Sequence, residues 1–186
     1  MKFILASKSE RRITYLKTFG FDFEIAKVDL EEKIFENFPL KTVIYNAYMK
    51  AKEVKQLLST DYVVLGMDTV VLMNRKIFGK PKNKVENVKM LKNLSGQEHS
   101  VITGIVGLKN DFSFVDYDVT KVRFKNVDEE LITRYVDTGE GLDKAGGYAI
   151  QGLGAMLIDM VDGSVDNVIG IPLLKVIKIL RTIGEV

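Results

Sequence analysis

The sequence predicts an α/β fold around a mixed sheet. Strand-like and helix-like segments alternate through the first half of the chain, and strand-like segments cluster in its middle. Length is the third observation: 186 residues can bury a sizeable core, as one large domain or as two closely joined lobes.

The elements follow from period and punctuation. Residues 2–6 (KFILA) read as a strand, and Ser9 is placed to cap a helix through RRITYLKTF that stops at Gly20. FDFEIAKV (21–28) reads as a second strand, and DLEEK (29–33) as an acidic loop. From Leu40 to Leu58 the apolar residues Val43, Ile44, Ala47, Ala51, Val54 and Leu58 recur in helical steps after Pro39. YVVLG and DTVVLM read as strand with a break at Gly66, MNRK as a turn, and about 84–94 as a helix ending at Ser95 and Gly96. HSVITGIVGL (99–108) and FSFVDYDVTKVRF (112–124) are strands around Asn110 and Asp111, and Asp128 caps the helix EELITRYVDT. Six of the sixteen residues 139–154 are glycine, which makes this stretch either a flexible linker or a backbone surface shaped for a ligand. AMLIDMV, a turn at Asp162 and Gly163, and a helix from Pro172 complete the order.

Composition narrows the function classes. Apolar residues make up 46% and charged residues 28%, the balance of a folded globular protein. With 27 basic and 25 acidic residues the net charge is +2, so no global field draws the chain to nucleic acid or an anionic membrane, and any anion must be held locally. There is no cysteine, which removes disulfides and thiolate metal sites. The opening MKFILASKSERR has a four-residue apolar segment, too short for a signal-peptide core, and nothing approaches a membrane span of roughly 20 apolar residues. The expected location is the cytoplasm.

Four places carry chemistry. SKSERR (7–12) joins a strand to a helix start, where free N–H groups, hydroxyls and guanidiniums suit phosphate; a capped helix with solvated arginines is the plainer reading. Lys50 projects about 20° beyond Val43 at the margin of the apolar stripe, able to reach a cleft or to snorkel along the edge. Asp68 stands inside VVLGMDTVVLM, where a lone carboxylate costs several kcal/mol or more to desolvate, so it is paired, hydrogen-bonded or metal-bound unless Gly66 ends the strand and exposes it. Thr69 faces the other side of the strand, and Lys80 lies on the returning one. Glu31 and Glu32 offer oxygen ligands for a hard cation such as Mg²⁺. His99 is the only histidine, and without a second histidine or a cysteine it reads as structural.

Taken together, LASKSERR (5–12), AYMKA around Lys50, LGMDTVV (65–71), GKP (79–81), LSGQEHSVITG (94–104), LDKAGGYAIQGLG (142–154) and NVIGIPL (167–173) resemble the Maf family of nucleotide pyrophosphatases, nearly end to end and in order. The resemblance implies one domain over residues 1–186, with an elongated mixed central sheet, flanking helices and two lobes around a cleft, related to the inosine triphosphate pyrophosphatase architecture. It implies hydrolysis of a nucleoside triphosphate to monophosphate and pyrophosphate with a divalent metal cation, Mg²⁺ or Mn²⁺, and a possible homodimer. By motif position Asp68 falls on the proton acceptor, Ser7, Arg11, Arg12, Lys50 and Lys80 on phosphate-handling positions, and Glu32, with Asp68, near the metal. Arg12, Thr69 and Gln151 match the branch acting on dTTP and UTP. Glu10 stands where the family usually has proline, and is expected to point outward. The competing expectation is a nucleotide-sensing or partner-binding module without turnover, since a binding site does not by itself establish catalysis.

Overall fold

The computed structural model describes residues 2–58 and 61–184. In chain order the elements are β1 (Phe3–Ala6), α1 (Glu10–Thr18), β2 (Phe23–Ala26), α2 (Pro39–Leu57), β3 (Val63–Met73), β4 (Lys76–Phe78), α3 (Lys84–Leu94), β5 (Glu98–Lys109), β6 (Phe112–Phe124), α4 (Glu129–Asp137), β7 (Ile158–Asp162), α5 (Val165–Ile169) and α6 (Leu173–Gly184). The seven strands form one sheet in the order β2-β1-β3-β5-β6-β7, with β4 paired to β3. It is mixed, as expected: β1 runs parallel to β2 and β3, whereas β3–β4 and β6–β7 are antiparallel.

The chain forms two compact units. The first holds residues up to Asp68, Thr103–Asp118 and Gly170 onward; the second holds Thr69–Ile102 and Val119–Ile169. In the first, β1 and β3 are buried on both faces, which is why FILA and VVLGM read as unbroken apolar runs. Phe3, Leu5, Val63, Leu65 and Met67 pack with Ile13 and Leu16 of α1 and Val176 and Ile179 of α6. Ile4, Ala6 and Val64 pack on the other face with Ala47, Ala51 and Val54 of α2. By the two-residue period Asp68 shares the face of Val64 and Gly66, the one that α2 covers.

The expected break at Gly66 does not occur, because β3 is one continuous strand. The glycine serves close packing: a Cβ there would lie 2.0 Å from the Ala47 carbonyl oxygen. At Gly104 a Cβ would lie 2.8 Å from the Val43 carbonyl carbon. Two missing side chains thus let α2 settle directly onto the sheet backbone. Strand β2 is shorter than the expected 21–28, since its partner β1 offers only four residues to pair with. Ser9 is the N-cap of α1 by position, but its side chain makes no cap bond; instead the Ser7 hydroxyl accepts the Ser9 N–H at 3.1 Å. Helix α2 begins at Pro39, one residue before the periodic pattern, as proline at the first helical position allows.

In the second unit, the expected MNRK turn is a two-residue hairpin with Asn74 at φ 50° and Arg75 at φ 64°, the left-handed pair of a type I′ turn. Asp128 caps α4 by accepting the Leu131 N–H at 2.8 Å. His99 lies inside β5. Its Nε2 pairs with the Tyr148 hydroxyl at 2.8 Å and its ring meets Phe124 edge-on at 5.0 Å. Burial pulls its imidazole down to about 4. The five-residue α5 was not anticipated, being too short to show a helical period. Among the described residues no helix is long and apolar enough to cross a membrane.

Two outcomes follow from this packing. Gly66→Ala should lower the unfolding free energy measured in urea by about 1–3 kcal/mol, because the helix must shift to admit the methyl group; wild-type stability would contradict the close approach. His99 is held neutral, so its contribution is complete above its ordinary value near 6.5 and is lost as pH falls towards 4. Between pH 7 and pH 4.5 the wild type should therefore lose roughly 2 kcal/mol more than His99→Gln, and equal losses in urea unfolding would refute that assignment.

Candidate active site

Helix α2 carries two stripes. Val43, Ala47, Ala51 and Val54 face the sheet, and beside them Thr42, Asn46 and Lys50 recur every four residues. The polar stripe holds the irregular segment between β2 and α2. Thr42 Oγ1 accepts the Phe35 N–H at 3.0 Å, and the Asn46 amide accepts from Lys33 N at 2.9 Å and donates to Lys33 O at 3.0 Å. Glu32, one residue before this two-way bridge, is thereby positioned without any regular structure of its own.

Asp68 is buried, 4% exposed, and lies in the strand rather than in a loop. Lys50 Nζ donates to its Oδ1 at 2.7 Å, and Asn46 Nδ2 donates to its Oδ2 at 2.9 Å. The same ammonium donates to Glu32 Oε1 at 2.7 Å and reaches the Met67 carbonyl at 3.3 Å. One cation thus joins two carboxylates. Burial pushes the Asp68 carboxyl above the usual range, Lys50 pulls it back, and Glu32 pushes it up again. The net shift is upward, with burial the largest cause.

Arg12 is buried too. Its Nε donates to Gly170 O at 2.8 Å and its guanidinium to Met67 O at 3.0 Å, which fixes the side chain beside the residue that precedes Asp68. Burial draws its guanidinium below the ordinary value, and attraction to Asp68 and Glu32 opposes the shift. Ser7 is buried in the turn after β1, Arg11 is half-buried in the first turn of α1, and Glu10 is exposed. A cavity of about 230 Å³ opens between residues 30–33 and α2, lined by Tyr45, Asn46, Met49, Lys50 and both Glu31 and Glu32.

Of the expected residues, Glu32, Lys50 and Asp68 are brought into direct contact, and Arg12 joins them through Met67. Thr69, Lys80 and Gln151 belong to the second unit. Thr69 is half-buried on β3, whereas Lys80 and Gln151 are exposed on loops. Those loops are tied within their unit: Gly146 N donates to Gly79 O at 3.0 Å, next to Lys80. Around Gln151, the Glu140 carboxylate accepts from Leu153 N at 2.9 Å and Gly154 N at 2.8 Å. Gly152, at φ 96°, leaves room for that carboxylate, since a Cβ would sit 2.1 Å from it. The glycine-rich stretch is therefore shaped backbone and not a linker. Asn46 was missed by the sequence reading; an asparagine four residues before Lys50, between Val43 and Ala47, was its signal.

The donor set suits a hard cation. Two carboxylates and a backbone carbonyl already surround one positive charge, the ammonium of Lys50. Among the described residues no group of three or more His, Cys, Asp or Glu could hold a metal ion. The two carboxylates and the carbonyl are oxygen donors of the kind Mg²⁺ takes, water and substrate phosphates completing its shell.

These features define an α/β protein with a buried carboxylate, lysine and second carboxylate in one ion-pair cluster. Comparison with known proteins gives the family. The family profile described as Maf-like protein matches residues 2–183. A dTTP/UTP pyrophosphatase of Thermoanaerobacter sp. (strain X514) is 44% identical over 183 residues, covering 97% of this chain and 96% of that one. The dTTP/UTP pyrophosphatase of Thermosipho africanus is 44% identical over 186 residues, covering 100% and 95%. A crystal structure of a nucleoside-triphosphatase / dITP/XTP pyrophosphatase from Mycobacterium abscessus shares 13% identity and a TM-score of 0.45, over 68% of this chain and 76% of that one. The chain belongs to the Maf family.

Proposed function

We propose that this protein hydrolyses nucleoside triphosphates, dTTP and UTP foremost, to the monophosphate and pyrophosphate, with both units serving one nucleotide pyrophosphatase domain. The observation that carries the reading is Asp68, a buried carboxylate hydrogen-bonded by Lys50 and Asn46 beside Glu32. The dTTP/UTP pyrophosphatase names of relatives at 44% identity support the substrate class. The substrate pool would be the cytoplasmic one.

In this reading Asp68 orients a water molecule and takes its proton as the anhydride bond to the departing pyrophosphate opens. Glu32 and Asp68 would hold a divalent cation, which would supply positive charge to draw negative charge off the phosphate oxygens. Ser7, Arg11, Arg12, Lys50 and Lys80 meet the triphosphate. Arg12 would come to it already oriented, its guanidinium pinned by the Met67 and Gly170 carbonyls, and charge placed before the reaction is often the largest catalytic contribution. Thr69 and Gln151 would select the base, Gln151 through the donor and acceptor of its amide. Each copy of the chain holds Glu32, Lys50 and Asp68 within one unit, so a homodimer is not required to complete the cluster.

Asp68→Asn should leave circular dichroism unchanged while pyrophosphate release from UTP and dTTP with Mg²⁺ falls by roughly 10²-fold or more. Near-wild-type turnover would remove Asp68 from the chemistry. Absence of turnover in the wild type would favour a nucleotide-sensing role.

A further inference from the structure

Lys50 occupies an unusual position for a phosphate-binding lysine. Its ammonium is 2.7 Å from Glu32 Oε1, 2.7 Å from Asp68 Oδ1 and 3.3 Å from Met67 O, and its side chain is only 12% exposed. The other Asp68 oxygen is engaged by Asn46 at 2.9 Å. A divalent cation bound to Glu32 and Asp68 would seek the same two carboxylate oxygens, which here converge on one point. Two like charges cannot share that point, because they repel strongly at a few ångströms in a site shielded from water.

We propose that the Lys50 ammonium and a divalent cation are alternative occupants of the Glu32–Asp68 carboxylate pair, so that loading of the metal turns Lys50 out of its ion pairs and frees its charge for the triphosphate. The inference rests on the pyrophosphatase reading for the identity of the cation. The exchange keeps the two carboxylates from facing each other unneutralised. It also makes metal binding weak until a triphosphate is present to receive the displaced ammonium, which couples loading of the metal to arrival of the substrate. A lysine on a four-carbon stem suits this role, since it can swing while its backbone stays fixed on α2.

The test needs no nucleotide and no turnover. Mn²⁺ is titrated into the full chain and free ion is read by electron paramagnetic resonance, for the wild type and for Lys50→Met. Removing the competitor should tighten Mn²⁺ binding at least tenfold; equal or weaker binding by a folded Lys50→Met, or no binding by either protein, overturns the proposal. The wild type supplies a second readout, independent of any variant. Acetylation of Lys50 by acetic anhydride, followed by mass spectrometry, should accelerate several-fold at saturating Mn²⁺ while the exposed Lys41 is unaffected, and an unchanged Lys50 rate overturns it. If these fail while UTP is still hydrolysed, the exchange is wrong and the enzymatic reading stands. Were hydrolysis absent, the tenfold tightening would still support exchange at a cation site.

Discussion

The contact between Lys50 and Asp68 governs the rest of this structure. Taking a carboxylate out of water costs several kcal/mol, and an ammonium at 2.7 Å offsets that cost only if the remaining lone pairs are met as well. Asn46 meets one of them from the same helix, and Glu32 shares the ammonium from the neighbouring loop. Remove any one of these and a buried charge is left short of partners.

The contact exists because of what is missing nearby. Gly66 and Gly104 give α2 no side chain to rest on, so its backbone lies against the sheet, and residues on its near edge reach the strand beneath. A helix held farther off by even one methyl would carry Lys50 away from the carboxylate. Thr42, Asn46 and Lys50 then use one edge of that helix to do two jobs: they fasten the segment holding Glu32, and they bring a cation and an amide to Asp68. The two glycines in the strands and the polar edge of the helix are parts of one arrangement, which only their combination explains.

Much of this was legible in the sequence, for identifiable reasons. The period of α2, the Asn-Arg turn and the capping aspartate of α4 are local signals, and each lies where its signal put it. The acid at 68 was legible as an anomaly, a charge in an apolar run. Its main partner, Lys50, was legible as a residue at the margin of a stripe. What escaped were features that depend on a neighbour distant in sequence. Gly66 looks like a break until the Ala47 carbonyl is placed over it, and Ser7, rather than Ser9, supplies the hydroxyl that accepts a turn N–H. Asn46 was hidden because its partners are the backbone of residue 33 and the side chain of residue 68. The five residues of α5 carry too little pattern to announce a helix.

A double-mutant cycle in urea at pH 7 measures the energetic coupling between Lys50 and Asp68. With Asp68→Asn, Lys50→Met and the combined variant, the double change should cost less than the sum of the single ones by more than about 1 kcal/mol. Additivity to within about 0.5 kcal/mol would mean that the two side chains do not depend on each other, and would contradict that coupling.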